Sequence, residues 1–146
     1  MTIKRSQLPE KFGKITGQEW PDERLWMAAY QVPNFINMGK KNIYMNRAMF
    51  LNMDAALNNL RVFNIAHELD EFNGCFNIRS VRGVPGLMSV HSWGLAIDVN
   101  GSRNPLGAQS TLSRLFVKCF KDAGFYWGGD YRRPDPMHFT IVDEAR

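Results

Sequence analysis

Ser89-Val90-His91-Ser92-Trp93-Gly94-Leu95-Ala96-Ile97-Asp98 is the stretch on which the reading of this chain turns. It sets a histidine and an aspartate seven positions apart with a glycine between them. After Gly94 the residues alternate. Leu95, Ile97 and Val99 fall on one face of a strand, Ala96 and Asp98 on the other. An isolated carboxylate at the end of a buried strand is too costly, so Asp98 needs a partner or a ligand. A bend at Gly94 returns His91 toward it.

A second stretch completes the pattern: Asp135-Pro136-Met137-His138-Phe139-Thr140-Ile141. Met137, Phe139 and Ile141 form an apolar face, and His138 and Thr140 point the other way. Two histidines and an aspartate on strand faces, His91, Asp98 and His138, make a first shell for one Zn2+ ion. Three protein ligands leave the fourth tetrahedral position to water, the catalytic arrangement. Asp135, three residues before His138, is then a spare carboxylate suited to take a proton from that water. The same residues also admit a plainer account, in which the histidines are hydrogen-bonded core groups and Asp98 is their ion-pair partner. Spacing alone does not choose between the two.

The 146 residues suffice for one domain with one core. A net charge of +4 suits an acidic partner, nucleic acid or an anionic cell wall alike. No basic run with interleaved aromatics appears, which argues against nucleic acid. Cys75 and Cys119 are too few for a disulfide scaffold and read as reduced, buried thiols. No run approaches the ~20 apolar residues of a membrane span. Nor does an apolar stretch of the signal-peptide kind follow Met1 to Ser6, so the chain is expected to be made in the cytoplasm.

Residues 1–44, punctuated by Pro9, Gly13, Gly17, Pro21 and Pro33, read as an irregular arm with at most a helical turn at 22–30. Trp20, Trp26 and Tyr30 are expected to pack on the core. Phe50, Met53, Leu57 and Leu60 predict a helix from an Asn46 cap to about Val62. A strand is expected over 65–72, with His67 structural. A turn at 72–74 and a short strand from Cys75 to Arg79 follow. Arg82 opens the loop 83–86. Residues 100–110 form a polar loop. Ser110 or Thr111 caps a helix to about Ala123, and Gly124 stops it. The tail 143–146 is expected to fray. Trp93 is either a cleft wall or core packing.

The run Ser-x-His-x-x-Gly-x-Ala-x-Asp followed by Asp/Glu-x-x-His resembles the signature of a family of zinc peptidases. That family includes D-alanyl-D-alanine carboxypeptidases, vancomycin-resistance dipeptidases and phage L-alanyl-D-glutamate endolysins. Ser89, His91, Gly94, Ala96, Asp98, Asp135 and His138 meet every defined position. The flanks Gly74-Cys75-Phe76-Asn77-Ile78-Arg79 and Trp127-Gly128-Gly129-Asp130 are similar too, and the likeness spans residues 45 to 142. The resemblance implies a single α+β domain, a small antiparallel sheet flanked by helices, of the type shared with lysostaphin-type peptidases and hedgehog domains. It implies His91, Asp98 and His138 as ligands of one Zn2+ and Asp135 as general base, where many relatives carry glutamate. Arg79, preferred over Arg82, would stabilise the oxyanion. Ser89 would be a supporting or substrate-contact hydroxyl.

The substrate so implied is a stem peptide of bacterial peptidoglycan, met by a monomer that neither binds nucleic acid nor inserts in a membrane. L-alanyl-D-glutamate endopeptidase is the first choice. It would act as a phage endolysin in host cell lysis, released to the wall through a separate pore protein. D-alanyl-D-alanine carboxypeptidase is the second. A non-catalytic wall-binding module on the same scaffold is the alternative of another class; the presence of both Asp135 and Arg79 argues against it.

Overall fold

The alternation after Gly94 becomes a strand at the centre of a four-stranded sheet. The structure is a computed structural model and describes residues 2–146. In chain order its elements are β1 (Ile3–Lys4), α1 (Leu8–Phe12), β2 (Met27–Gln31), β3 (Asn42–Asn46) and α2 (Phe50–Val62). Then come β4 (Phe72–Gly74), β5 (Ser80–Val81), β6 (Val84–Met88), β7 (Ala96–Val99), α3 (Arg114–Asp122), β8 (Tyr126–Trp127), β9 (His138–Thr140) and β10 (Val142–Asp143). The main sheet runs β4-β7-β9-β8, antiparallel throughout. This is a small α+β domain.

Register places the chemistry. In the β7–β9 pair Ile97 lies opposite Phe139 and Asp98 opposite His138. Side chains alternate, so the two pairs face opposite sides of the sheet. On one side Phe139 packs on α3, with ring centroids 4.5 Å from Phe120 and 6.1 Å from Phe116. Helix α3 in turn lies on α2, where Asn59 donates to the Cys119 carbonyl and Asn52 to that of Ala123. Met53, Ala56, Leu57 and Leu60 form the buried stripe of α2, as their spacing predicts. Each large side chain fully buried in this layer contributes about 1.5–3 kcal/mol. The other side of the sheet is left to Asp98 and His138.

Several local expectations need correction. Residues 1–44 are not irregular: β2 and β3 form an antiparallel hairpin from Met27 opposite Asn46 to Gln31 opposite Asn42. Only a turn of 3-10 helix, Glu23–Leu25, answers to the helical reading of 22–30. The buried alternation Ile43, Met45 was too short to declare itself without its partner strand. Residues 65–72 hold a 3-10 turn, Ala66–Glu68, and the strand begins only at Phe72, where a turn was expected. Residues 75–79 form no strand, although Asn77 N donates to His91 O and Arg79 O accepts from Ser89 N. Residues 84–86, read as part of a loop, open strand β6, which pairs with β5. The cap of α3 is Ser113, whose Oγ accepts from Phe116 N, and not Ser110 or Thr111. Those two hydrogen-bond Asn104, a buried asparagine that holds the polar loop. The tail is not frayed, since β10 pairs in parallel with β1, Ile3 opposite Val142.

The N-terminal hairpin also braces the motif. Asn46 donates from its backbone to Gly94 O and from its side chain to Trp93 O. Its Oδ1 accepts from Ala48 N, which is the expected capping role, displaced onto a 3-10 turn before α2. Trp26 and Tyr30 are buried as expected, whereas Trp20 is 52% exposed. Cys75 and Cys119 are free and buried.

Gly94 sits at φ +67°, and a Cβ there would overlap Met27 Sδ. Gly39 has φ +81° with open space around it. At both, an L side chain would be strained by the left-handed backbone, at about 1–2 kcal/mol. Gly94→Ala should therefore cost clearly more than Gly39→Ala in urea denaturation, and equal losses would remove the packing argument for Gly94.

Candidate metal centre

His91 does not lie on a strand. It sits in a single turn of 3-10 helix, Val90–Trp93, between β6 and β7. Ser89 caps that turn, its Oγ accepting from His91 N, and Gly94 ends it in the left-handed region. The turn folds His91 back over the end of β7. His91 Nδ1 lies 2.7 Å from Cys75 O, which directs Nε2 toward Asp98.

Three groups from three elements converge. His91 Nε2 is 3.2 Å from Asp98 Oδ2, and His138 Nδ1 is 3.3 Å from Asp98 Oδ1. One ligand atom of each residue lies within 4.8 Å of the others. The imidazoles meet edge to face, with centroids 5.2 Å apart. Zinc–ligand bonds of about 2.0–2.1 Å imply ligand separations of about 3.3 Å at a tetrahedron. The two measured contacts have that length. His91 Nε2 is buried and has no hydrogen-bond partner. A buried nitrogen without a partner is the mark of a missing acceptor or cation. The donor set, two imidazoles and a carboxylate, suits zinc. The residues present therefore fit a metal.

The electrostatics of the group are coupled. Burial opposes ionisation of Asp98, but the charges of His91 and His138 and the hydrogen bond of His138 outweigh it and hold the carboxyl far below its usual range. Burial likewise opposes a charge on His138. Hydrogen bonds to Asp98 and Glu144 overcome it and push the pKa up to about 10. Without a cation, the group thus keeps a proton where the cation would stand.

Asp135 differs. It sits in the loop before β9, its carbonyl accepting from His138 N. Burial raises its carboxyl pKa, His138 lowers it and Asp98 raises it again, and the net shift is upward. No described residue donates a hydrogen bond to its carboxylate. The loop is held close by Gly128, where any Cβ would overlap Asp135 O.

A cavity of about 370 Å³ opens over the group, and Asp135, Ser89, Arg79 and Arg82 all line it. Arg79 is half-buried, anchored through its backbone to Ser89 and Ser92, and Arg82 is exposed. Trp93 is not part of the cavity. It is 4% exposed and donates through Nε1 to Gly13 O, so packing is its role. Asn73, Ser102 and Arg146 also line the cavity and went unnoticed in the sequence. Asn73 and Ser102 looked like ordinary turn residues, and Arg146 belonged to a tail with no motif.

Cation and proton compete for His138. Its pKa of about 10, above the ordinary 6.5, means that loading at neutral pH must expel a proton. Apparent zinc affinity should rise with pH through the neutral range and level off as His138 loses its proton, and calorimetry in buffers of different ionisation enthalpy should find proton release on binding. A pH-independent affinity would refute this account of the group.

No curated protein and no solved structure matches the chain. A family model does: residues 82–141 match the one described as D-alanyl-D-alanine carboxypeptidase. The matched segment runs from the β5–β6 hairpin through the turn of His91, β7, α3 and β9. It therefore contains all three convergent groups and Asp135. Over that segment the chain is similar to the D-alanyl-D-alanine carboxypeptidase family of peptidases.

Proposed function

We propose that this protein is a zinc-dependent peptidase of bacterial peptidoglycan stem peptides. The observation that carries the proposal is the His91, Asp98, His138 group at the floor of a cavity that also holds an uncommitted carboxylate, Asp135.

In this account the cavity receives a peptide carbonyl above the three ligands. When bound, the cation supplies Lewis acidity, lowering the pKa of a water toward ~7 and favouring charge on the carbonyl oxygen. Asp135 takes the proton as the water oxygen bonds to the carbonyl carbon. It returns that proton to the nitrogen as the C–N bond breaks, leaving a carboxylic acid and an amine. Asp135 suits the task because nothing else claims it and burial favours its protonated form. Asp98 and Glu144, whose carboxyls are held low, do not. Arg79 offers fixed donors to the oxyanion. Its anchored backbone favours it over exposed Arg82. Ser89 supports His91 through its cap.

The first choice of bond is L-alanyl-D-glutamate. A stem peptide with free carboxylates matches a cavity edged by Arg79, Arg82 and Arg146. The second reading, cleavage of D-alanyl-D-alanine, is favoured by the description of the matching family. The wider reading is a monomeric phage endolysin that reaches the wall through a separate pore, on the sheet architecture shared with hedgehog domains. No helix among the described residues is long and apolar enough to cross a membrane.

Digestion of purified peptidoglycan, with mass identification of the new ends, separates the readings. A new D-glutamyl amine supports the first choice, and free D-alanine without it overturns that choice. Wall binding with no cleavage at all would favour a binding module. Asp135→Asn should lower hydrolysis at least 10²-fold, the lower end for a lost general base, while zinc stays bound. An ionised Asp135 destabilises the fold at neutral pH because its folded pKa is raised. The variant should therefore melt no lower than the parent. Unchanged activity would exclude Asp135 as the base.

A further inference from the structure

Behind His138 lies a second carboxylate that the chemistry above does not use. Glu144 follows β10 directly, and its side chain is only 1% exposed. Its Oε2 lies 2.8 Å from His138 Nε2 and accepts from Tyr131 OH at 2.6 Å. Its Oε1 accepts from Arg5 Nη2 at 2.8 Å. Arg146 Nη1 stands 3.6 Å from the same oxygen. A buried carboxylate is tolerated only with such compensation.

Arg5 reaches further. Its Nη1 donates to Met88 O, at the end of β6 and directly before the Ser89 cap of the His91 turn. One guanidinium thus joins the strand that leads into His91 to the carboxylate that stands behind His138. The parallel pairing of β1 with β10 brings Arg5 and Glu144 together, though they are 139 positions apart. Neither lies in the family-matched segment 82–141.

We propose that the two ends of the chain form a clasp, Arg5–Glu144, that positions His138 for the metal. An imidazole whose Nε2–H donates to a fixed carboxylate has its tautomer and ring plane set, and must present Nδ1 to Asp98. Glu144 is the positioning residue, and Arg5 positions Glu144. The proposal rests on the reading that His91, Asp98 and His138 bind zinc. A clasp that served only to anchor the termini would change folding stability and leave metal affinity alone.

The test is zinc affinity of the full chain, by competition with a chromophoric chelator, for the parent, Glu144→Gln, Arg5→Met, the double variant and Ile3→Ala. Cobalt in place of zinc gives a second readout, since its visible absorption reports ligand geometry. Glu144→Gln should bind about 10–100-fold more weakly, the usual loss when the partner of a ligand histidine is removed. Arg5→Met should also be weaker, with an altered cobalt spectrum. The double variant should fall little below Glu144→Gln, because Arg5 acts through Glu144. Ile3→Ala weakens the β1–β10 pair without touching the carboxylate and should bind like the parent. Should Glu144→Gln fail to fold, Arg5→Met carries the test by itself. Parent-like affinity in both polar variants, or an equal loss in Ile3→Ala, would overturn the clasp and leave the zinc reading standing. A parent that binds no zinc would overturn both.

Discussion

Asp98 held between two imidazoles is the constraint from which the rest of the structure follows. A carboxylate set in a mostly buried strand must find opposite charge, protons or a cation close by. Here it finds His138 directly across an antiparallel pair and His91 folded back by one tight turn. The cross-strand partner depends on register, and the folded-back one depends on a left-handed glycine. Slipping β9 by one residue would send His138 into the helical layer and Phe139 into the cavity. The apolar contacts of Phe139 with α3 therefore hold Asp98 and His138 in place from the opposite side of the sheet.

The three carboxylates near the site show how environment assigns roles. Asp98 and Glu144 are surrounded by donors and held ionised. Asp135 is buried without donors, and its proton affinity is raised. Groups of the same chemistry are thus divided between carboxylates committed to histidines and one that is left uncommitted. That division supports the peptidase reading more strongly than the residue types do, because core ion pairs would leave no carboxylate uncommitted.

The elements outside the family-matched segment serve as its frame. The β2–β3 hairpin hydrogen-bonds the turn of His91 through Asn46. The loop after β7 is tied down by Asn100, Asn104 and the Ser102–Glu71 contact, and it forms one wall of the cavity. Such side chain–backbone bonds give irregular segments the rigidity that a cleft requires.

From the amino-acid order alone came the convergence of His91, Asp98 and His138, the nearness of Asp135, the two amphipathic helices and the strand phases of β7 and β9. All of these are written locally, as a spacing of two or of three and four. The place of Arg79 at the cavity was legible too, through its neighbours, although the short strand expected to carry it does not form. What tertiary structure decided is everything that depends on distant pairing. The N-terminal hairpin needed its partner strand to be seen. Trp93 needed Gly13, 80 positions away, to become a packing residue. The tail looked like a loose end because Val142 and Glu144 have meaning only beside Ile3 and Arg5. Local periodicity encodes which face a side chain takes. It does not encode which far segment will cover that face, because the partner is selected by the free energy of the whole packed chain.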